Sequence, residues 1–127
     1  MGVKDKFKLD EFFAALADRT RLRLLNLMRD GEVCVCFFAE TLGTNNPKIS
    51  RHLAYLKRAG LVKARRDGKW MHYSLQKQQD PRAIEIFESL LKTFESDEQM
   101  KADRETLVNV CCTPTLVAIG RKTNALS

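Results

Sequence analysis

The chain's 127 residues are 44% hydrophobic and carry 22 Lys and Arg against 16 Asp and Glu, a formal charge of +6. That length allows one domain with a modest core, and that hydrophobic content excludes a chain disordered by composition. The basic balance points to a polyanionic partner, while no apolar run reaches a membrane span and MGVKDKFKLD has no signal-peptide core. The expectation is a cytoplasmic protein with no membrane partner, whose four cysteines are thiols rather than structural disulfides.

Residues 5–18 read as a first helix with Leu9, Phe12, Phe13, Leu16 and Ala17 on one face. The adjacent phenylalanines need cover, either from a C-terminal helix or from a partner subunit. Thr20 is placed to cap a second helix through Met28, and its leucines (Leu22, Leu24, Leu25, Leu27) make it central to the core. A third helix, 34–42, starts with Cys34 and Cys36 and stops at Gly43. Two residues apart on a regular helix, these cysteines point about 200° apart, so sharing one small ion requires the first turn to bend. The helix N-terminus favours thiolate there and primes the pair for ligation; alternatively both are small buried hydrophobes.

The stretch from Thr44 to Leu75 carries the most information. Asn46 is placed to cap a fourth helix and Pro47 to fill its first position; Ile49, Leu53 and Leu56 form an apolar stripe, and Gly60 is the stop. The opposite face carries Lys48, Arg51, Tyr55 and Arg58, with Ser50 at its edge, a front suited to the DNA major groove. The period then changes to that of a hairpin, LVKARR and WMHYSL, closed by Asp67-Gly68 with Arg65, Arg66 and Lys69 clustered at its tip. Each piece alone also reads as an ordinary amphipathic helix or a solvated hairpin. In this order they predict a mainly α, dimeric winged helix-turn-helix. Lys48, Ser50, Arg51 and Tyr55 are the candidates for base and nearby backbone contacts, and Arg65, Arg66 and Lys69 for phosphate or minor groove.

Asp80-Pro81 opens another helix, in which Ile84, Phe87, Leu91 and Phe94 step by three and four residues. That seam either joins the first helix in a homodimer interface (Phe12, Phe13, Leu16, Ile84, Phe87, Leu91) or covers its own core. Residues 95–106 are polar enough to extend the helix into solvent or to form a linker. The chain divides into a winged helix-turn-helix and dimerisation domain, 1–95, and an extension, 96–127, holding Cys111-Cys112 on an apolar tail with a mobile end.

ALADRTRLRLLNLM at 15–28, GEVCVC at 31–36, PKISRHLAYLKRAGLV at 47–62 and RRDGKWMHYSL at 65–75 together resemble the ArsR/SmtB family of metal-responsive repressors. The resemblance implies a homodimer that leaves double-stranded operator DNA when a metal or metalloid binds. The CVC at 34–36 is similar to the arsenic-sensing branch, implying As(III) or Sb(III) as effector on Cys34 and Cys36 and no catalytic cofactor. Thiolates select such soft ions over the hard cations of the cytosol. The branch's third cysteine, three residues on, is replaced by Ala39, leaving Cys111 or Cys112 to complete a three-thiol site. Cadmium and lead sensors share the CVC, and a singly methylated arsenical needs only two thiols. The zinc branch's pairs of His and carboxylate on the last helix have no counterpart, since His52 and His72 both lie in the DNA-binding half. Two further readings keep the thiols and change their chemistry: an oxidation switch, or a thiol enzyme such as an arsenate reductase. The enzyme needs a Gly-rich anion loop, whereas Phe37, Phe38 and Ala39 follow the pair.

Overall fold

The computed structural model describes residues 7–111. Within them the order is α1 (Leu9–Leu16), α2 (Arg19–Leu27), β1 (Val33–Cys34), α3 (Val35–Leu42), α4 (Asn46–Arg58), β2 (Val62–Asp67), β3 (Trp70–Leu75), α5 (Pro81–Phe94) and α6 (Glu98–Cys111). The architecture is mainly helical with a β-hairpin wing, as the periodicity requires. Residues 112–127, including Cys112 and most of the expected apolar tail, lie outside the described residues.

Short polar side chains set the helix starts, by accepting hydrogen bonds from backbone N–H groups that the first turn leaves unpaired. Two caps sit earlier than the sequence predicts. Asp18, not Thr20, accepts from the Arg21 N–H at 3.0 Å and starts α2. Asn45, not Asn46, accepts from the Lys48 N–H at 2.9 Å and starts α4, with Pro47 inside the first turn. Asp80 caps α5 through the Arg82 N–H, as expected. Gly43 ends α3 at φ +70°, where a side chain would be strained, and its loop leads into α4 to complete the helix-turn-helix.

The sheet has the order β1-β3-β2. In the hairpin Asp67 pairs with Trp70, so the two-residue loop is Gly68-Lys69 rather than Asp67-Gly68, with φ +64° at Gly68. Strand β1 is absent from the sequence reading. It is two residues long and pairs Val33 with Tyr73 and Cys34 with His72. Cys34 is therefore extended (φ −71°, ψ 139°) and precedes α3 instead of belonging to it.

Leu24, Leu25, Met28, Phe38, Ile49, Leu53, Leu56 and Leu61 are fully buried and join α2, α3, α4 and the base of the wing in one core. The polar stretch after α5 neither extends that helix nor leads away as a linker. It turns at residues 95–97, and α6 folds back along α2 and α3. Ion pairs hold the return: Arg19 with Asp97, Arg29 with Glu95, Arg104 with Asp30, and Arg23 with the buried Asp103 through two bonds of 2.7 and 3.0 Å. Buried Asn26 adds a bond from its side-chain amide to the Met100 carbonyl at 2.9 Å. Among the described residues no helix is long and apolar enough to cross a membrane.

Candidate DNA interface and thiol site

Helix α4 buries Ile49, Leu53 and Leu56 and turns Lys48, Ser50, Arg51 and Arg58 to solvent. Lys48, Ser50 and Arg51 make no side-chain hydrogen bond or ion pair among the described residues, so their donors are free for a ligand. Tyr55 differs. It is half-buried against the core, with the Arg21 guanidinium 4.1 Å and the Arg58 guanidinium 5.5 Å from its ring centroid. Arg21 also donates to the Ala15 and Ala14 carbonyls at the end of α1 and lies 3.3 Å from His52 Nδ1. Burial pushes the His52 imidazole below its ordinary pKa, which favours the neutral ring that accepts this bond. Arg21 thus ties α1 and α2 to the recognition helix and sets Tyr55. Local sequence gives no sign of this, because His52 is 31 residues away.

The wing residues separate into two groups. Arg66 and Lys69 are exposed at the tip. Arg65, one residue before Arg66, instead makes a paired contact with Glu32 at 2.8 and 2.7 Å and holds that carboxyl below the usual carboxylate range. Glu32 stands one residue before β1. Residues directly opposite across paired strands share a face, so Cys34, His72 and Arg65 lie on one face of the sheet.

Next to that face the Cys36 thiol, in the first turn of α3, donates to Cys34 Sγ at 3.5 Å. The expected divergence is therefore absent. It assumed both cysteines on a helix, and one is on a strand. Two sulfurs on a tetrahedral thiolate site, with metal–sulfur bonds of about 2.3 Å, sit about 3.8 Å apart, so this pair is already spaced to share one thiophilic ion. The expected thiolate priming is also absent for Cys36. Burial and the neighbouring sulfur outweigh the helix end and push its pKa from 9.0 up to about 11. Among the described residues no third His, Cys, Asp or Glu joins the two in a metal-sized cluster. Cys111 is the last residue of α6, one turn beyond Leu107. Leu107 and Val108 line a cavity of about 560 Å³ with Gly31, Glu32 and Val33, so the end of α6 runs beside β1.

A proton-retaining thiol is slow to alkylate. Near neutral pH Cys36 should carry roughly a hundredfold less thiolate than a thiol of pKa 9.0, a difference of two units. Iodoacetamide labelling followed by peptide mass spectrometry should show Cys36 lagging, then accelerating as pH approaches 11. The raised value also means that the fold favours the protonated form. Its contribution to stability is complete below pH 9 and is lost as pH rises toward 11.

Residues 18–64, from the cap of α2 into β2, match the model for the arsR family of bacterial regulatory proteins. The arsenic resistance transcriptional regulator ArsR2 of Pseudomonas putida is 34% identical over 113 residues, 80% of this chain and 96% of that one. This chain belongs to the arsR family. That family is described as one of bacterial regulatory proteins. The arsenical resistance operon repressor of Escherichia coli is 48% identical over 66 residues, covering 51% of this chain and 56% of that protein. The chain spans about half the length of its first-matched curated relatives, 56% and 50%. The antimony-specific transcriptional repressor AntR matches in three dimensions with a TM-score of 0.55 and 30% identity, over 78% of this chain and 93% of that one. Within the arsR frame, Phe12, Leu16 and Phe87 are buried in the protomer's own core. Phe13 is 47% exposed, and Ile84 and Leu91 are half-buried, which leaves these three with surface to give to a second subunit.

Proposed function

We propose that the protein is a homodimeric repressor that binds operator DNA and is released by As(III) or Sb(III) at Cys34 and Cys36. The observation that carries the reading is the seat of the thiol pair. One sulfur lies on the strand that pairs with the wing, and the other starts the helix before the recognition helix. Lys48, Ser50, Arg51 and Tyr55 would meet bases and nearby backbone, and Arg66 and Lys69 the phosphates. Arg65 would join them only by leaving Glu32. Phe13, Ile84 and Leu91, with Leu9 on α1, would form the outer part of a two-fold interface; an inverted-repeat operator follows from that symmetry.

The protonated state of Cys36 favours a hydroxylated metalloid over a divalent cation. Arsenite is uncharged at neutral pH and exchanges its hydroxyls for thiols with loss of water, whereas Cd(II) or Pb(II) must expel the thiol protons. A third thiolate would come from Cys111 or Cys112, since α6 passes Gly31–Val33 on its way to its end. Drawing that third donor in moves β1, and β1 moves β3 through the Val33–Tyr73 and Cys34–His72 pairs and the Glu32–Arg65 contact. The wing then shifts relative to α4, and the conformation that binds DNA becomes the less populated one.

An operator-release assay against As(III), Sb(III), methylarsenite, Cd(II) and Pb(II), with proton release recorded in weak buffer, tests this. Release by arsenite without proton release is the expected result; response to Cd(II) or Pb(II) alone overturns the metalloid assignment. Truncation after Val110 should abolish the response to inorganic arsenite and keep the response to methylarsenite, which has two positions open to thiols. An unchanged inorganic response rules out the tail as a donor.

A further inference from the structure

Trp70 is the chain's one tryptophan, and it stands 49% exposed at the first position of β3. Asp67 stands directly across from it in the hairpin, and two cations flank that pair: Lys69 Nζ lies 5.9 Å from the ring centroid, and Arg66 donates to the Gly68 carbonyl at 3.4 Å. An indole is among the largest apolar surfaces a side chain offers, and here it is left half in water, with cations outnumbering the one carboxylate around it. The placement also has a length. Six residues of β2 carry the tip roughly 20 Å from the end of α4. Half a turn of B-DNA, the step from a major-groove segment to the adjoining minor groove, is about 17 Å.

We infer that Trp70 is a DNA contact residue, its indole entering the minor groove beside the major-groove segment that α4 faces. The inference rests on the DNA-binding reading above and names a residue which that reading leaves out. The flat ring wedges against a base step, and its Nε1–H donates to the adenine N3 or thymine O2 acceptors on the groove floor. Arg66 near the end of β2 and Lys69 in the loop meet the flanking phosphates. The contact prefers A·T pairs at the operator flanks, where the groove is narrow and its floor offers acceptors only.

A single tryptophan makes its own emission the readout. The full-length chain is titrated with a duplex that it has selected from a random-sequence pool, and binding is followed separately by gel shift. On saturation the emission should shift or quench and acrylamide should reach the indole less well; netropsin, which fills A·T minor grooves, should reverse the shielding. Trp70→Ala should bind the duplex roughly fivefold or more weakly, and Trp70→Phe should recover much of the loss. A duplex bound in the gel with Trp70 still open to acrylamide overturns the inference and leaves the DNA-binding reading standing, whether or not Trp70→Ala folds. Shielding that grows with protein concentration in the absence of DNA assigns the indole to a second copy and overturns it too. Failure to bind any selected duplex removes both.

Discussion

The double variant Cys34→Ser, Cys36→Ser is expected to bind operator DNA as tightly as the native chain and to stay bound in arsenite. Serine keeps the size of cysteine and replaces a soft sulfur with a hard hydroxyl, so ligand affinity falls while the core is spared. Coupling energies of 1–3 kcal/mol would make the native response a weakening of about 5–150-fold; in the double variant that ratio should fall to about one. Position 34 sharpens the point. Cys34 is the N-cap of α3, in the extended conformation that Ser, Thr, Asp and Asn exploit, yet its side chain makes no capping bond. Serine there should hold α3 as well or better, by up to about 1 kcal/mol. The chain thus keeps a sulfur where a hydroxyl suits the helix better. Fluorescence anisotropy on labelled operator, with and without arsenite, reads both quantities. A double variant released at the native arsenite concentration would remove the thiol pair from the mechanism.

The second large effect is structural. Asp103→Ala should cost about 2–3 kcal/mol of unfolding free energy, measured by urea titration at one fixed protomer concentration. Its carboxylate is 3% exposed and accepts two bonds from Arg23 and one from Gln99. Removing it strands a guanidinium that is only 20% exposed. A fully buried pair would cost 3–5 kcal/mol, and the solvent reaching Arg23 trims that figure. Glu95→Ala is the internal comparison. It breaks an ion pair of the same kind with Arg29, but Glu95 is 60% exposed, so the loss should be far smaller than for Asp103→Ala. Equal effects of the two variants would mean that α6 is not anchored through Asp103.

What was legible in the sequence followed from period and local chemistry. The stripe Ile49, Leu53, Leu56 and the alternation around Asp67-Gly68 are patterns written within a few residues, and the recognition helix and wing came out in place. The misses share a cause: partners far apart in sequence. Strand β1 exists because Val33 and Cys34 pair with residues of β3 about forty positions on. A two-residue strand has no period to read, so the sequence pattern puts Cys34 on a helix and points the two sulfurs apart. The polar stretch 95–106 lacks an apolar seam because much of what holds it is ionic. Its partners on α2 and just after it lie 66 to 80 residues earlier. Capping was displaced by one or two residues because Asp18 and Thr20, or Asn45 and Asn46, are all competent caps, and only the entry angle of the chain selects between them.

The ion pairs that fasten α6 have an effect at a distance. Arg19, Arg23, Arg29 and Arg104 are each neutralised by a carboxylate, as is Arg65. Lys48, Arg51, Lys57 and Arg58 on α4 and Arg66 and Lys69 on the wing have no carboxylate partner among the described residues. Cations without a carboxylate partner are therefore concentrated on α4 and at the tip of the wing, which gives that side of the described residues a positive field. A polyanion exerts a torque on such a body before the two touch, turning it so that most collisions are already face-on. Encounter rates gain by factors of about 10–10³ from fields of this kind, and added salt erases the gain first and the docked contacts later.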